Sequence, residues 1–159
     1  MTVLRQVDYR DLDVAELERQ VQQSYLSLYG SGDETVLHAE QFLPPEGIFL
    51  LLSIADVPVA MGGWRSRRAD GIHLRDGDAE IKRMYVVPHA QRRGHARAVL
   101  AELERTATSS GRRRMVLETG LLQTEAIALY TSSGYTEMGK FGRYAHKESS
   151  RSYAKVLAG

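Results

Sequence analysis

Met84-Tyr85-Val86-Val87-Pro88-His89-Ala90-Gln91-Arg92-Arg93-Gly94-His95-Ala96 decides the fold of this chain. A β-branched run ends at a proline, a short polar loop with two arginines and a glycine follows, and an amphipathic helix then begins at about Arg93. The free N–H groups of a first helical turn and the helix dipole both favour an anion at such a place. Gly94 has no Cβ, so backbone there can approach a ligand closely. Ala96 keeps the next position small, and successive N–H groups would converge on one anionic centre. No Gly-Lys-Ser/Thr follows, so this is not a Walker loop, and the three spaced glycines of a dinucleotide fingerprint are missing. Taken alone, the hexapeptide Gln91–Ala96 reads equally well as a helix start with a glycine and arginines.

Around this stretch the hydrophobic pattern defines the remaining elements. Thr2–Val7, Ile48–Ile54, Val57–Arg65, Asp78–Val87 and Arg114–Glu118 read as strands, with Tyr135–Lys140 and Ser152–Leu157 as terminal ones. Leu12–Tyr29 reads as a helix with Leu12, Ala15, Leu17, Val21, Tyr25 and Leu28 near one face. Thr35–Leu43 reads as a short helix stopped by Pro44-Pro45. Arg93–Ser109 carries Ala96, Val99, Leu100, Leu103 and Ala107 at helical spacing, and Gly111 follows its end. Thr124–Ser132 is the last helix, with Gly134 beyond it. Alternating strands and helices in the second half require a crossover and at least one parallel pair, whereas the first half looks antiparallel. The expected fold class is therefore α/β, one domain, a mixed sheet with helices on both faces.

The composition narrows the classes of function. The chain has 159 residues, 43% apolar and 26% charged, with a formal net charge of +1. That balance gives no global basic field and argues against a nucleic-acid partner. No apolar run approaches the roughly 18 to 20 residues of a membrane span, and Met1–Arg5 lacks the apolar core of a secretory signal. The chain has no cysteine, which excludes disulfides, thiolate zinc sites and a Cys nucleophile and fits a reducing cytoplasm. The histidines His38, His73, His89, His95 and His146 form no metal-binding pair, so no metal is expected.

Four motifs in order carry a resemblance. They are the strand Asp78–Val86, the loop Gln91–Ala96, the strand Leu117-Glu118-Thr119-Gly120, and the helix Gln123-Thr124-Glu125-Ala126-Ile127-Ala128-Leu129-Tyr130 with Gly134-Tyr135 after it. Together they resemble the GNAT superfamily of acyl-CoA-dependent N-acyltransferases, most clearly from Asp78 to Tyr144, in a small bacterial form. The resemblance implies a mostly antiparallel central sheet of about 6–7 strands. It implies acetyl-CoA as co-substrate and an amine acceptor, and by analogy alone a homodimer through the C-terminal strands. It assigns the cofactor to Met84, Tyr85 and Val86 on the strand, to Gln91, Arg92, Arg93, Gly94, His95 and Ala96 in the loop, and to Gln123. The family usually has Asn where this chain has Gln123, which donates the same kind of bond on a longer arm.

The reaction needs a neutral amine, an oxyanion donor and a proton for the departing thiolate. Glu80, eleven residues before Gln91, matches the catalytic glutamate of the histone-acetylating branch. It reads equally as a salt-bridge partner of Lys82 or Arg83, with water as the base. Tyr130 matches the family's general acid, and otherwise reads as a core tyrosine. His73 could line an acceptor site, Trp64 reads as a core residue, and Arg112–Arg114 read as solvated. The alternative to an active transferase is a regulatory module that binds acyl-CoA without turnover.

Overall fold

The computed structural model describes residues 1–158. Seven strands form one sheet in the order β1-β2-β3-β4-β5-β7-β6. Their ranges are β1 Thr2–Gln6, β2 Gly47–Ile54, β3 Val57–Arg67, β4 Asp78–Val86, β5 Arg114–Gly120, β6 Thr136–Met138 and β7 Ser150–Val156. The helices are α1 Leu12–Tyr29, α2 His95–Ser109 and α3 Thr124–Ser132. Every pairing is antiparallel except β4 with β5. The expected mixed, mostly antiparallel sheet is therefore present, and the connection from β4 through α2 to β5 makes its one parallel junction.

Helices cover both faces. A Cβ on Gly62 would meet Val99 and Leu103 of α2, whereas one on neighbouring Gly63 would meet Phe49 and Phe42. Successive strand residues point to opposite faces, so α2 lies on one side and Phe42, with α1, on the other. Trp64 belongs to the α2 side: it is 1% exposed and donates from Nε1 to Thr106 Oγ1 at 3.0 Å. The core reading of this tryptophan holds.

Three elements depart from the sequence expectation. The segment Thr35–Leu43 makes only a 3-10 turn at Ala39–Phe42. Pro44 disfavours helix at the residue before it, and the Val36 carbonyl is engaged by the Arg65 guanidinium. α1 buries Val14, Leu17 and Val21, whereas Leu12 is 86% exposed. Leu12 lies two residues from Val14 and so falls on a different face of the helix. α2 begins at His95, two residues later than the periodicity suggests, because Gly94 takes a left-handed φ of 83° that a helix cannot include.

Two features of β4 position the site. First, β4 and β5 pair only at Asp78–Glu80 against Arg114–Val116, although both strands run on past that point. The sheet therefore opens into a split from Ile81 and Leu117 onward. Second, the register of β3 and β4 slips between Met61 and Gly63, where Gly63 faces Lys82 and Met61 faces Tyr85. One extra residue on β4 makes a bulge, and Arg83 takes φ 60° to accommodate it. Such a conformation is unusual for a non-glycine residue. It is held by side-chain bonds: Arg83 Nε reaches both Glu18 carboxylate oxygens at 2.9 Å, and Arg83 Nη1 reaches Asp33 Oδ2.

Candidate active site

The closed end of the split is locked by a buried pair. Arg114 donates to Asp78 Oδ1 at 2.8 Å and Oδ2 at 2.7 Å, and the Asp78 side chain is 1% exposed. Arg114 is thus a structural clamp, not the solvated residue its basic neighbours suggest. Arg112 also keeps a buried Nε, without a hydrogen-bond partner among the described residues.

At the open end lies the loop before α2. Arg92 takes φ 64° and Gly94 φ 83°. Left-handed residues among right-handed or extended ones turn backbone N–H groups toward one centre, the geometry of an anion nest. A Cβ on Gly94 would meet nothing within 4 Å, so space remains over the loop. Gln91 Nε2 donates back to the Val86 carbonyl at 3.1 Å, tying the loop to the end of β4. Arg92 pairs with Glu125 at 3.1 Å, and both side chains are largely exposed. Arg93 is exposed and Ala96 half-buried. His95 is half-buried, and its Nε2 is buried without a partner among the described residues. Met84, Tyr85 and Val86 are each half-buried along the split. Met84 Sδ packs toward Gly62, and the Tyr85 hydroxyl bonds Gln20 Oε1 at 3.1 Å.

On the α1 side of the sheet a cavity of about 170 Å³ opens beside the split. Four segments wall it: the end of α1 with the following loop, Lys82 of β4, the end of β5, and the loop before β7. Tyr25, Tyr29, Glu118 and Tyr144 stand on its walls, and Gln123 reaches it from the start of α3.

Glu118 is the notable group here. Burial pushes its carboxyl up to about 7; the charges of Glu80 and Asp33 add to the rise, while Lys82 and the Tyr144 N–H oppose it. Glu118 Oε2 accepts from the Tyr144 N–H at 3.3 Å. A Cβ on Gly142 would collide with this carboxylate, so glycine at 142 admits it. The sequence reading quoted Glu118 within a motif but gave it no role. Its position as the acidic residue at the open end of β5, inside the split, is the signal that points to it.

Glu80 sits deeper. It is 1% exposed, with Arg65 Nε at 3.0 Å and Arg67 Nη1 on the same carboxylate oxygen. It is not among the residues that wall the cavity. Its partners are therefore Arg65 and Arg67 of β3, whereas Lys82 and Arg83 turn to Asp33 and Glu18. Burial opposes ionisation of Asp33, but Lys82 and Arg83 hold its carboxyl well below the usual range.

Tyr130 is 4% exposed, and its ring meets that of Tyr135 edge-on at 5.5 Å between centroids. Burial, with the neighbouring Tyr25 second, raises its phenol above the ordinary tyrosine range. It therefore keeps its proton at neutral pH. Tyr130 is not among the residues that wall the cavity, whereas Tyr25, whose phenol acts on it electrostatically, is. His73 lies elsewhere, beside Gly139 in a separate depression with Arg114. Among the described residues no three His, Cys, Asp or Glu side chains converge to hold a metal. No described helix is long and apolar enough to cross a membrane.

A split sheet, a bulged strand along the split and a loop with two left-handed residues at its mouth mark the site. The model of the acetyltransferase (GNAT) family matches residues 14–135. The chain is 29% identical over 144 residues to an IAA acetyltransferase of Azospirillum brasilense, covering 91% of this chain and 90% of that protein. It shares its fold with the acetyltransferase of GNAT family from Streptococcus pneumoniae, at TM-score 0.72 and 18% identity over 99% of this chain and 100% of that one. It shares it also with the PaiA N-acetyltransferase of Thermoplasma acidophilum, solved in complex with coenzyme A, at TM-score 0.71 and 15% identity over 99% of each. The chain belongs to the GNAT family and is an acetyltransferase of that family, whose members use acyl-CoA.

Proposed function

We propose that the chain transfers an acetyl group from acetyl-CoA to a primary amine of a small molecule or peptide, by direct attack in a ternary complex. The observation that carries this reading is Glu118. It is a carboxylate on the wall of a cavity beside the split, with a pKa near 7. A base of that strength accepts a proton at neutral pH and can release it again. The nest at Arg92–Gly94 and the exposed Arg93 would hold the pyrophosphate. Met84, Tyr85 and Val86 would line the thioester, and the half-buried His95 and Ala96 begin the helix behind the nest. Gln123, at the junction of cavity and split, would meet the pantetheine arm.

In this mechanism Glu118 takes one proton from the ammonium of the acceptor. The neutral nitrogen then attacks the acetyl carbonyl, the C–N bond forms, and the C–S bond breaks. Tyr130 gives its proton to the leaving sulfur and is restored from the substituted nitrogen. The products are an amide, a free thiol and one proton released by Glu118. We assign the base to Glu118 in preference to Glu80, whose carboxylate is taken up by two guanidinium groups. Glu80 instead helps set the basicity of Glu118 through its charge.

The test is thiol release from acetyl-CoA over a panel of amines between pH 5.5 and 9, with thermal shift alongside. Wild-type kcat/KM should rise through about pH 7, as the base loses its proton. Glu118→Gln should lose that limb and at least about 100-fold in rate, while acetyl-CoA still raises its Tm. A Glu118→Gln profile like the wild type would remove Glu118 as base. A Tm shift without thiol release on any amine would favour the regulatory module.

A further inference from the structure

The charges around the acceptor cavity do not all need a ligand. Asp33 is satisfied by Lys82 at 3.0 Å and by Arg83. With Asp33 and Lys82 neutralising each other, two charged residues that line the cavity remain, Glu118 and Lys147. Glu118 accepts only the Tyr144 N–H among side-chain and backbone donors of the described residues. Lys147 is exposed; its ammonium lies 5.5 Å from the centre of the Tyr144 ring, and it has no carboxylate partner among the described residues. The same Tyr144 thus touches both groups, its backbone on Glu118 and its ring under Lys147. A third observation is independent of charge. Tyr29 also lines the cavity, and its hydroxyl is buried without a hydrogen-bond partner among the described residues. It packs against Gly120, where any Cβ would collide with it. A buried hydroxyl left unsatisfied is costly, and an acceptor atom on a ligand would satisfy it.

One anion, one cation and one spare donor around a cavity of about 170 Å³ complement a small zwitterion. We propose that the acceptor is a free α-amino acid, its ammonium at Glu118 and its carboxylate at Lys147 with the Tyr29 hydroxyl. This rests on the transferase reading above and names its substrate class. A simple amine would leave the Tyr29 hydroxyl without a counterpart and Lys147 to solvent alone. A peptide amine would place an uncharged amide where a carboxylate is called for. Tyr25 and Tyr29 line the cavity, and their rings suit an apolar or aromatic side chain better than a charged one.

The experiment compares matched acceptors with the intact protein: phenylalanine, phenylalaninamide and phenethylamine, and likewise methionine and methioninamide. The free acids should show kcat/KM at least 10-fold above their amides and decarboxylated amines, chiefly through KM. Lys147→Met should erase that preference, and Lys147→Arg should retain it. Amides or simple amines turned over as well as the acids would overturn the proposal, as would a Lys147→Met variant that keeps the preference. Turnover of amines without preference refutes only the amino-acid assignment. Failure of acetyl-CoA to raise Tm refutes the transferase reading beneath it, so the two failures are distinguishable.

Discussion

Glu118, the base proposed above, would serve activity at the expense of stability. Its native pKa of about 7 lies above that of an unfolded glutamate, 4.5. Below pH 4.5 both states hold the proton, and the burial of a neutral carboxyl costs little. Between those two values the unfolded chain gives up the proton while the native state retains it, so stability falls as pH rises. Above pH 7 the loss is complete, at about 2 kcal/mol once solvent screening of a partly exposed group is allowed for. Glu118→Gln should therefore be more stable than wild type at pH 8, by about 1–2 kcal/mol, and should converge with it at pH 4.5. Urea denaturation at the two pH values checks this, and a variant less stable at pH 8 would contradict it. Little of this was legible in the sequence. Period-two alternation places Glu118 on one face of β5, but its basicity arises first from burial and then from the charges of Glu80 and Asp33, all of which depend on segments the fold brings together.

The bulge on β4 depends on α1 in a comparable way. Arg83 is 3% exposed and binds two carboxylates, one from α1 and one from the loop after it. That loop is itself tied to α1, since Gln22 accepts from the Asp33 N–H at 2.7 Å and donates to the Asp33 carbonyl. One guanidinium therefore joins the helix, the cavity wall and the strand along the split. Removing it leaves Glu18 without its cation, Asp33 with Lys82 alone, and a strained φ without its support. Arg83→Met should cost about 3–5 kcal/mol. Arg83→Lys should recover only part, because a single ammonium cannot reproduce the fork that meets both acids. Equilibrium denaturation measures both, and full recovery by Lys would show that charge alone matters. The strand, its apolar alternation and the helix after it were all readable in the residues. The bulge was not, since an extra residue in a ladder is defined by the partner strand.

The whole sheet is two blocks joined at one short parallel junction. β1 to β4 form one block and β5, β7 and β6 the other, with three residue pairs of β4 and β5 between them. The Asp78–Arg114 pair sits on the first of these. Asp78→Asn keeps the shape but leaves the guanidinium, 9% exposed, without its counter-charge. It should lose about 3 kcal/mol. It should also weaken the acetyl-CoA Tm shift, because the width of the split is set where it closes. A destabilised variant with an unaltered shift would show that the junction bears on stability alone.

Local chemistry was sufficient for one part of this protein. The turn, the glycine and the helix start from Gln91 to Ala96 create their anion nest from backbone angles of neighbouring residues. The helical period of α2 and the alternation of the strands likewise follow from side chains near in sequence. The cavity needed the tertiary structure, because its walls come from residues 25–33, 82, 118–123 and 144–150. Which charges neutralise one another there, and which remain for a ligand, depends on distances between segments that no local pattern encodes.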